Sequence, residues 1–320
     1  MKLSTGLVSV IIITHNRLNY LLTTLHNLKK QNYKNLEIFV VDNGSKEKIS
    51  QAHLNKFQNV QLINLNKNYG IDAFNKVIHL VKGTYILILD DDSYPENETI
   101  DKAIKYLEKD KSSGAVAFNI YNSKFDFFET KDYKKGYVHL FVGCGVIFRS
   151  EVIRKVGFYD KLFFVYVNEI DLSIRIINNG YNIYYLEDAV IVHMSAGDGL
   201  DSEISSPYRS KFRFYHITIG HLIYLTKHFS MQWVVIYSLK WLLNRIIVAI
   251  QFKLIKTFFK ALFQFAKMFH NVVSRRKVVK KEIQKIYNYG KIPLFDRDYY
   301  PDFEKKKIMN NVIKIFRVHY

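Results

Sequence analysis

The chain has 320 residues, 48% of them hydrophobic and 15% aromatic, enough for one large domain or two ordinary ones and too apolar for a wholly disordered protein. A single cysteine, Cys144, excludes a disulfide scaffold and a Cys-cluster zinc site and points to a reducing compartment. The formal net charge of +18 is unevenly placed: residues 1–208 carry 24 basic and 24 acidic groups, and residues 209–320 carry the remaining 23 and 5.

No carboxylate occurs between Glu203 and Glu282. A neutral body, residues 1–208, and a basic tail, residues 209–320, are therefore expected. The first apolar run, VSVIII, stops at Thr14-His15-Asn16-Arg17 without a small-residue cleavage site. It reads as a buried first strand rather than a secretion signal.

Strand-like runs follow at Leu7–Ile13, Leu36–Val41, Val60–Leu65, Tyr85–Leu89 and Ala115–Ile120. Each has the apolar continuity of a strand covered on both faces. Between the first two, Leu18, Leu21, Leu22, Leu25 and Leu28 share one helical face. Pro95 is placed at the start of a helix carrying Ile100, Ile104 and Leu107. This alternation predicts an α/β fold with a doubly wound, mostly parallel sheet over residues 1–120 and an acceptor half over 121–208.

Ligands of such sheets bind beyond the carboxyl ends of the strands. The segments there are Thr14–Arg17, Asp42–Ser45, Asn66–Gly70 and Asp90-Asp91-Asp92. Three adjacent carboxylates repel each other, so a plain loop would be more stable with fewer. They are hard oxygen donors suited to Mg²⁺ or Mn²⁺. In an extended segment Asp90 and Asp92 would face one site. Helix capping by Asp92 or Ser93 is the structural alternative, but it needs only one such residue. Neither a G-x-G-x-x-G after the first strand nor a P-loop motif occurs, which disfavours a dinucleotide-binding domain and a P-loop NTPase.

Residues 143–193 hold a second group. Gly143 and Gly145 would let a substrate approach the backbone. Ser150 is expected to cap a short helix ended by Gly157. Glu169 and Asp171 fall at a helix start, where acids suit the dipole, and Arg175 lies one turn after Asp171. His193 ends the strand AVIVH.

In chain order, VSVIIITHNR, EIFVVDNGS, NKNYGIDAFN, GTYILILDDDSYP, GCGVIFRSEVIRKVGFYDKLFFVYVNEIDLSIR and the strand ending at His193 resemble family 2 of the inverting, nucleotide-sugar-dependent glycosyltransferases, of bacterial surface-polysaccharide type. The resemblance covers roughly residues 7–195 and implies the GT-A fold, a Rossmann-like sheet. It implies that Thr14, Asn16, Arg17, Asp42, Gly70, Asp90 and Asp91 bind the nucleotide, with Asp42 on the base and Asp90 on the ribose. It implies Asp92 and His193 at a Mg²⁺ or Mn²⁺ ion, and Gly143, Gly145 and Arg175 near donor sugar and acceptor. The family's usual Glu-Asp-x-Asp is here Asn168-Glu169-Ile170-Asp171, which makes Glu169 the expected base and Asp171 the fallback. An Arg-Asn pair common in the family is replaced by Ile219-Gly220.

The tail changes character after Ser206-Pro207. Trp233–Ile250 has a membrane-spanning length, but Lys240, Asn244 and Arg245 lie inside it and speak against a clean span. Lys253, Lys256, Lys260, Gln264, Lys267 and Asn271 form one polar helical stripe opposite Leu and Phe residues. Three readings are open: a helix packed on the body, nucleic-acid binding, and attachment to an anionic membrane. The last accounts for both the charge and the apolar faces.

The expected protein is thus a transferase acting peripherally at the cytoplasmic side of the membrane through residues about 230–281. Its partners would be a UDP- or dTDP-sugar donor and a lipid-linked or growing glycan acceptor, without nucleic acid. A nucleotidyltransferase of related fold and a non-enzymatic basic membrane- or nucleic-acid-binding protein are the alternatives.

Overall fold

The structure, a computed structural model, describes residues 4–195 and 210–287. The expected boundary at residue 208 and the Ser206-Pro207 composition change lie outside those residues. The chain opens with β1 (Ser4–Thr14), α1 (Leu18–Lys29), β2 (Leu36–Asp42), α2 (Gln51–Leu54), β3 (Val60–Asn64), α3 (Ala73–Val77) and β4 (Gly83–Asp90). It continues through β5 (Ser93–Pro95), α4 (Thr99–Lys109), β6 (Ser113–Asn122), β7 (Phe127–Phe128), β8 (Gly136–Val138), β9 (Gly145–Arg149), α5 (Ser150–Val156), α6 (Asn168–Asn178) and β10 (Asn182–His193). The C-terminal helices are α7 (Lys211–His228), α8 (Met231–Gln251), α9 (Ile255–Ser274) and α10 (Lys281–Ile286).

The strands form one mixed sheet in the order β3-β2-β1-β4-β9-β6-β10-β5, with β7 on β6 and β8 on β10. β1 to β4 pair in parallel, as do β6 and β10, while β9 runs antiparallel between β4 and β6. The expected mostly parallel α/β sheet is therefore present. Its apolar runs are continuous because both faces are covered. Val8, Val10 and Ile12 of β1 pack with Leu21, Leu25 and Leu28 of α1 and Ile100 and Leu107 of α4. Ile11 points the other way, with Phe39 and Val41, toward Phe74, Val152 and Ile176.

The chain moves outward from β1 to β2 and β3, then returns to place β4 on the other side of β1. That reversal opens a crevice at the carboxyl ends of β1 and β4. Thr14 pairs in register with Asp42, Ile13 with Asp90, Leu89 with Gly145, and His193 with both Asn122 and Ser93. The polar segments singled out from the sequence thus share one rim.

Three local expectations are corrected. Pro95 ends β5 instead of starting a helix, and α4 begins at Thr99. Neither Asp92 nor Ser93 caps a helix: the chain after Asp92 pairs as β5 with β10, and the Ser93 hydroxyl donates to the Cys144 carbonyl. Ser150 is the first residue of α5 and its hydroxyl donates to the Gly83 carbonyl, leaving Arg149 at the cap position.

α7 lies against α6 and is covered by α8 and α9. Ile170 and Ile174 of α6 meet Ile219, Ile223 and Tyr224 of α7, with Ala261 and Val272 of α9 behind them. In α8, Arg245 is 1% exposed and its guanidinium stacks over Phe214 and Trp241. Of the residues that spoke against a membrane span, Arg245 therefore faces the protein interior, while Lys240 and Asn244 are exposed. α8 is the one described helix long and apolar enough to cross a membrane. The apolar surface of α9 is divided: Phe258, Ala261 and Val272 are buried, while Phe259 and Phe263 are exposed. Lys256, Lys260, Lys267 and Asn271 are exposed, and Gln264 is half-buried.

Candidate active site

Asp90 ends β4, and the turn after it carries Asp91 and Asp92 back beneath the start of α1. Arg17 reaches in from the β1–α1 loop, with Nη2 2.5 Å from Asp92 Oδ2 and Nη1 3.2 Å from Asp91 Oδ1. The Asp91 main-chain carbonyl accepts from the Thr24 hydroxyl of α1 at 2.9 Å. Burial pushes the Asp91 carboxyl up to about 7 against the pull of Arg17. Asp90 faces the crevice, and desolvation by the surrounding walls together with the Asp92 charge raises its carboxyl as well.

His193 arrives at the same place from the end of β10. Its Nε2 lies 3.7 Å from Asp92 Oδ1, and its Nδ1 lies 2.7 Å from Glu129 Oε1. Glu129 also accepts from the Asn122 amide at 2.8 Å. Burial alone would favour a neutral imidazole, but the hydrogen bond and charge of Glu129, with Asp92 and Asp90, outweigh it and raise His193 to about 9. The cluster thus favours a positive charge in its midst.

The donor atoms of Asp90, Asp92 and His193 lie within 4.8 Å of one another. Two carboxylates and an imidazole are an oxygen- and nitrogen-rich set that fits Mn²⁺ or Mg²⁺. A second grouping of Glu129, Cys144 and His193 fits less well. Burial first, then the neighbouring acids, hold the Cys144 thiol protonated, and a thiol ligates as the thiolate. Glu129 has a different part. By accepting a hydrogen bond from Nδ1–H it turns Nε2 toward Asp92, where a bound ion would replace the Nε2 proton, the usual arrangement of a metal-ligating histidine and its supporting carboxylate.

Glu169 stands at the start of α6 across from β9. Its Oε1 lies against Gly143, where a Cβ would come within 2.5 Å of it. Its Oε2 is buried without a hydrogen-bond partner among the described residues, and the Asn168 amide beside it makes no well-formed hydrogen bond there either. Desolvation raises the Glu169 carboxyl to about 7, with a further push from Asp90. A carboxylate of that strength is suited to exchanging a proton near neutral pH.

Asp171 does not join this site. It is 0% exposed and points into α7, where His228 Nε2 lies 2.8 Å from Oδ1 and Lys227 also donates to it; Arg175 Nε donates to Oδ2 at 2.9 Å. Burial opposes its charge, yet Arg175, Lys227 and His228 hold the carboxyl well below the usual range. Both oxygens are engaged by these donors, which leaves nothing to accept a substrate proton. Arg175 is committed likewise, donating to the carbonyls of Val156, Gly157 and Phe158. Asp171 thus belongs to the join between α6 and α7, and Arg175 ties α6 to the end of α5 and the segment after it.

The residues expected on the nucleotide side mostly brace the loops. Thr14 is buried at the end of β1. The Asn16 backbone N–H donates to the Ser45 hydroxyl, and its Oδ1 accepts from Lys46 N. Asp42 accepts from the backbone N–H groups of Ser45 and Ile49 at 2.9 and 3.2 Å, which curls the β2–α2 loop around it. Gly70, at φ 57°, would drive a Cβ to 2.1 Å from the Phe164 carbonyl. Gly145 faces Ile191, not the crevice, at 2.7 Å from the Cβ position.

Two residues escaped the sequence reading. Glu129 sits in an unremarkable FFET string and is delivered by the β6–β7 hairpin. Asn43 ties its own loop to the one after β3: its amide donates to Asn68 Oδ1 and the Gly70 carbonyl and accepts from Tyr69 N. Only its place in the Asp42–Ser45 segment hinted at this.

Comparison with known proteins places the chain beside glycosyltransferases. Residues 9–157 match the family described as Glycosyl transferase family 2. An uncharacterised glycosyltransferase of Methanocaldococcus jannaschii is 26% identical over 206 residues, 58% of this chain and 69% of that protein. The Escherichia coli UDP-Glc:alpha-D-GlcNAc-diphosphoundecaprenol beta-1,3-glucosyltransferase WfaP is 26% identical over 175 residues, 52% of this chain and 68% of WfaP. Among solved structures, the mannosyltransferase PcManGT of Pyrobaculum calidifontis, in complex with GDP-Man and Mn²⁺, superposes with a TM-score of 0.56 at 21% identity, over 83% of this chain and 77% of that one. Residues 1–349 of Staphylococcus aureus TarS, in complex with UDP-GlcNAc, give 0.58 at 17% identity, over 84% of each chain. These likenesses support the GT-A fold.

Proposed function

We propose that this chain, whose residues 9–157 match family 2 of the glycosyltransferases, transfers a sugar from a UDP- or dTDP-linked donor to a hydroxyl of a lipid-linked or growing surface glycan, with inversion. The observation that carries this reading is Glu169: a half-buried carboxylate raised to about 7, with one oxygen unpartnered, on the same crevice as the Asp90–Asp92 cluster. In the proposed reaction the acceptor hydroxyl oxygen bonds to the anomeric carbon from the face opposite the donor phosphate. The bond from that carbon to the phosphate oxygen breaks, and its electron pair leaves with the nucleoside diphosphate. Glu169 takes the hydroxyl proton as the new bond forms.

Asp92 and His193, with Asp90 beside them, would hold Mn²⁺ or Mg²⁺, which when bound neutralises charge on the diphosphate. Arg17 now spans Asp91 and Asp92 and would help to receive the same anion. Thr14, Asn16, Asp42 and Gly70 shape the nucleotide side of the crevice, and Gly143 leaves Glu169 room beside the acceptor. WfaP acts, by its name, on a diphosphoundecaprenol-linked sugar, which supports a lipid-linked acceptor in cell-surface polysaccharide assembly. The test is release of nucleoside diphosphate from a panel of nucleotide sugars with and without Mn²⁺. One uridine or thymidine donor, turned over only with the metal, is expected. No release from any donor would overturn the reading, and a product with retained anomeric configuration would overturn inversion.

In the same reading residues 1–208 form the catalytic body and residues 209–320 hold it peripherally on the cytoplasmic face of an anionic membrane. The outer surfaces of α8 and α9 support this. Leu239, Leu243 and Ile250 are 57%, 64% and 63% exposed, and Phe259 and Phe263 58% and 62%. Lys256, Lys260 and Lys267 stand among the phenylalanines. Burying one such side chain in the acyl region is worth about 1.5–3 kcal/mol, and each adjacent Lys adds about 1 kcal/mol at an anionic surface. A Leu239→Asp, Leu243→Asp, Phe263→Asp variant is therefore expected to lose co-sedimentation with anionic phospholipid vesicles while keeping turnover of a soluble acceptor. Undiminished sedimentation would rule out this surface.

A further inference from the structure

The segment that leads into Glu169 is strained. Tyr166 and Val167 both have left-handed φ angles, 63° and 64°. A β-branched residue rarely adopts that conformation, and it persists only where the surroundings over-determine it. Here the surroundings are glycines from three separate parts of the chain. A Cβ on Gly70 would lie 2.1 Å from the Phe164 carbonyl, which accepts the Ile71 N–H at 2.7 Å. A Cβ on Gly220, midway along α7, would lie 2.8 Å from Val167 Cβ and 2.9 Å from its Cγ2. A Cβ on Gly143 would lie 2.5 Å from Glu169 Oε1.

Gly220 is the least expected of these. α7 is regular on either side of it, so no turn or positive φ calls for glycine, and glycine inside a helix is unfavourable relative to alanine. What the absent side chain permits is contact between the α7 backbone and Val167. Lys227 follows two helical turns later on the same face and donates to Asp171, with His228 beside it. α7 therefore grips the segment around Glu169 at two points, one steric at Val167 and one ionic at Asp171.

We propose that Gly220 is a positioning residue for sugar transfer: by letting α7 close on Val167 it holds the strained Tyr166-Val167 pair and so sets the Glu169 carboxylate against Gly143. This rests on the reading of Glu169 as the base. It makes a helix of the basic C-terminal region part of the catalytic apparatus.

The experiment compares steady-state kinetics and thermal melting of the full chain, Gly220→Ala, the double variant Val167→Gly/Gly220→Ala, and Glu169→Gln. A methyl at 220 must displace Val167 by tenths of an ångström, and misplacement on that scale is expected to lower kcat about tenfold with the donor KM unchanged. Removing the Val167 side chain gives the new methyl room, so the double variant recovers most of the lost kcat. If Gly220→Ala loses its fold, recovery of fold and activity together in the double variant supports the contact, and no recovery overturns it. A lower melting temperature with unchanged kcat makes Gly220 merely structural and overturns the proposal. Normal turnover by Glu169→Gln would remove the base assignment itself. An inactive Glu169→Gln beside a fully active Gly220→Ala would remove only the role of Gly220.

Discussion

Asp92→Ala is expected to abolish both sugar transfer and metal-dependent nucleotide binding. Asp92 is 3% exposed and lies between two cations: Oδ2 meets Arg17 at 2.5 Å and Oδ1 faces His193 Nε2 at 3.7 Å. Removing it takes one carboxylate from the three-donor set and breaks the Arg17–Asp92 ion pair. Loss of a group that stabilises developing charge on a leaving oxygen costs about 10²–10³ in rate, and loss of the bound ion adds to this. Titrating Mn²⁺ with UDP present, followed by electron paramagnetic resonance, separates binding from turnover. Glu129→Gln should weaken Mn²⁺ binding by only about 10–100-fold, because it alters the support of His193 and not a donor. Full activity in Asp92→Ala would sink the metal assignment.

Glu169→Gln should keep donor affinity and lose turnover by about 10²–10⁴-fold, the usual worth of a general base. The amide preserves the shape against Gly143 but cannot take a proton. The pH profile supplies the sign. Burial raises the Glu169 carboxyl to about 7, so it is protonated and inactive below that pH and becomes a competent base above it. The wild-type kcat should climb as pH rises through about 7, and that limb should be missing from the residual activity of Glu169→Gln. Asp171 offers no substitute, since Lys227, His228 and Arg175 already hold both of its oxygens. Turnover by Glu169→Gln at the wild-type rate would therefore call for a base outside this cluster.

Much of the rim was legible beforehand because its chemistry is local. The TYILIL run followed by three aspartates announces a buried strand ending in a charge cluster, and β4 ends at Asp90 as expected. Pro95 misled because Pro suits a strand end as well as a helix start, and the pairing of β5 with β10 decided between them. Asp171 and Arg175 looked like site residues beside Glu169. One helical turn of 3.6 residues places Asp171 two positions and about 200° around from Glu169, so the two carboxylates address different partners. The α9 stripe was visible as a pattern, but its period could not say which phenylalanines pack on α7 and which face outward.

By itself, the sequence determined the alternation of strands and helices, the segments at the carboxyl ends and the separation of a neutral body from a basic tail. These follow from residue period and composition, which neighbours along the chain express directly. Only the tertiary structure decided that Glu129 supports His193 across 64 positions, that Lys227 and His228 close on Asp171 across 56 and 57, and that Gly220 gives Val167 its room. The physical reason is that hydrogen bonds, ion pairs and steric fit act over a few ångströms in space. A glutamate in FFET or a glycine inside a helix acquires its role from whichever distant residue the sheet and the helix packing bring against it.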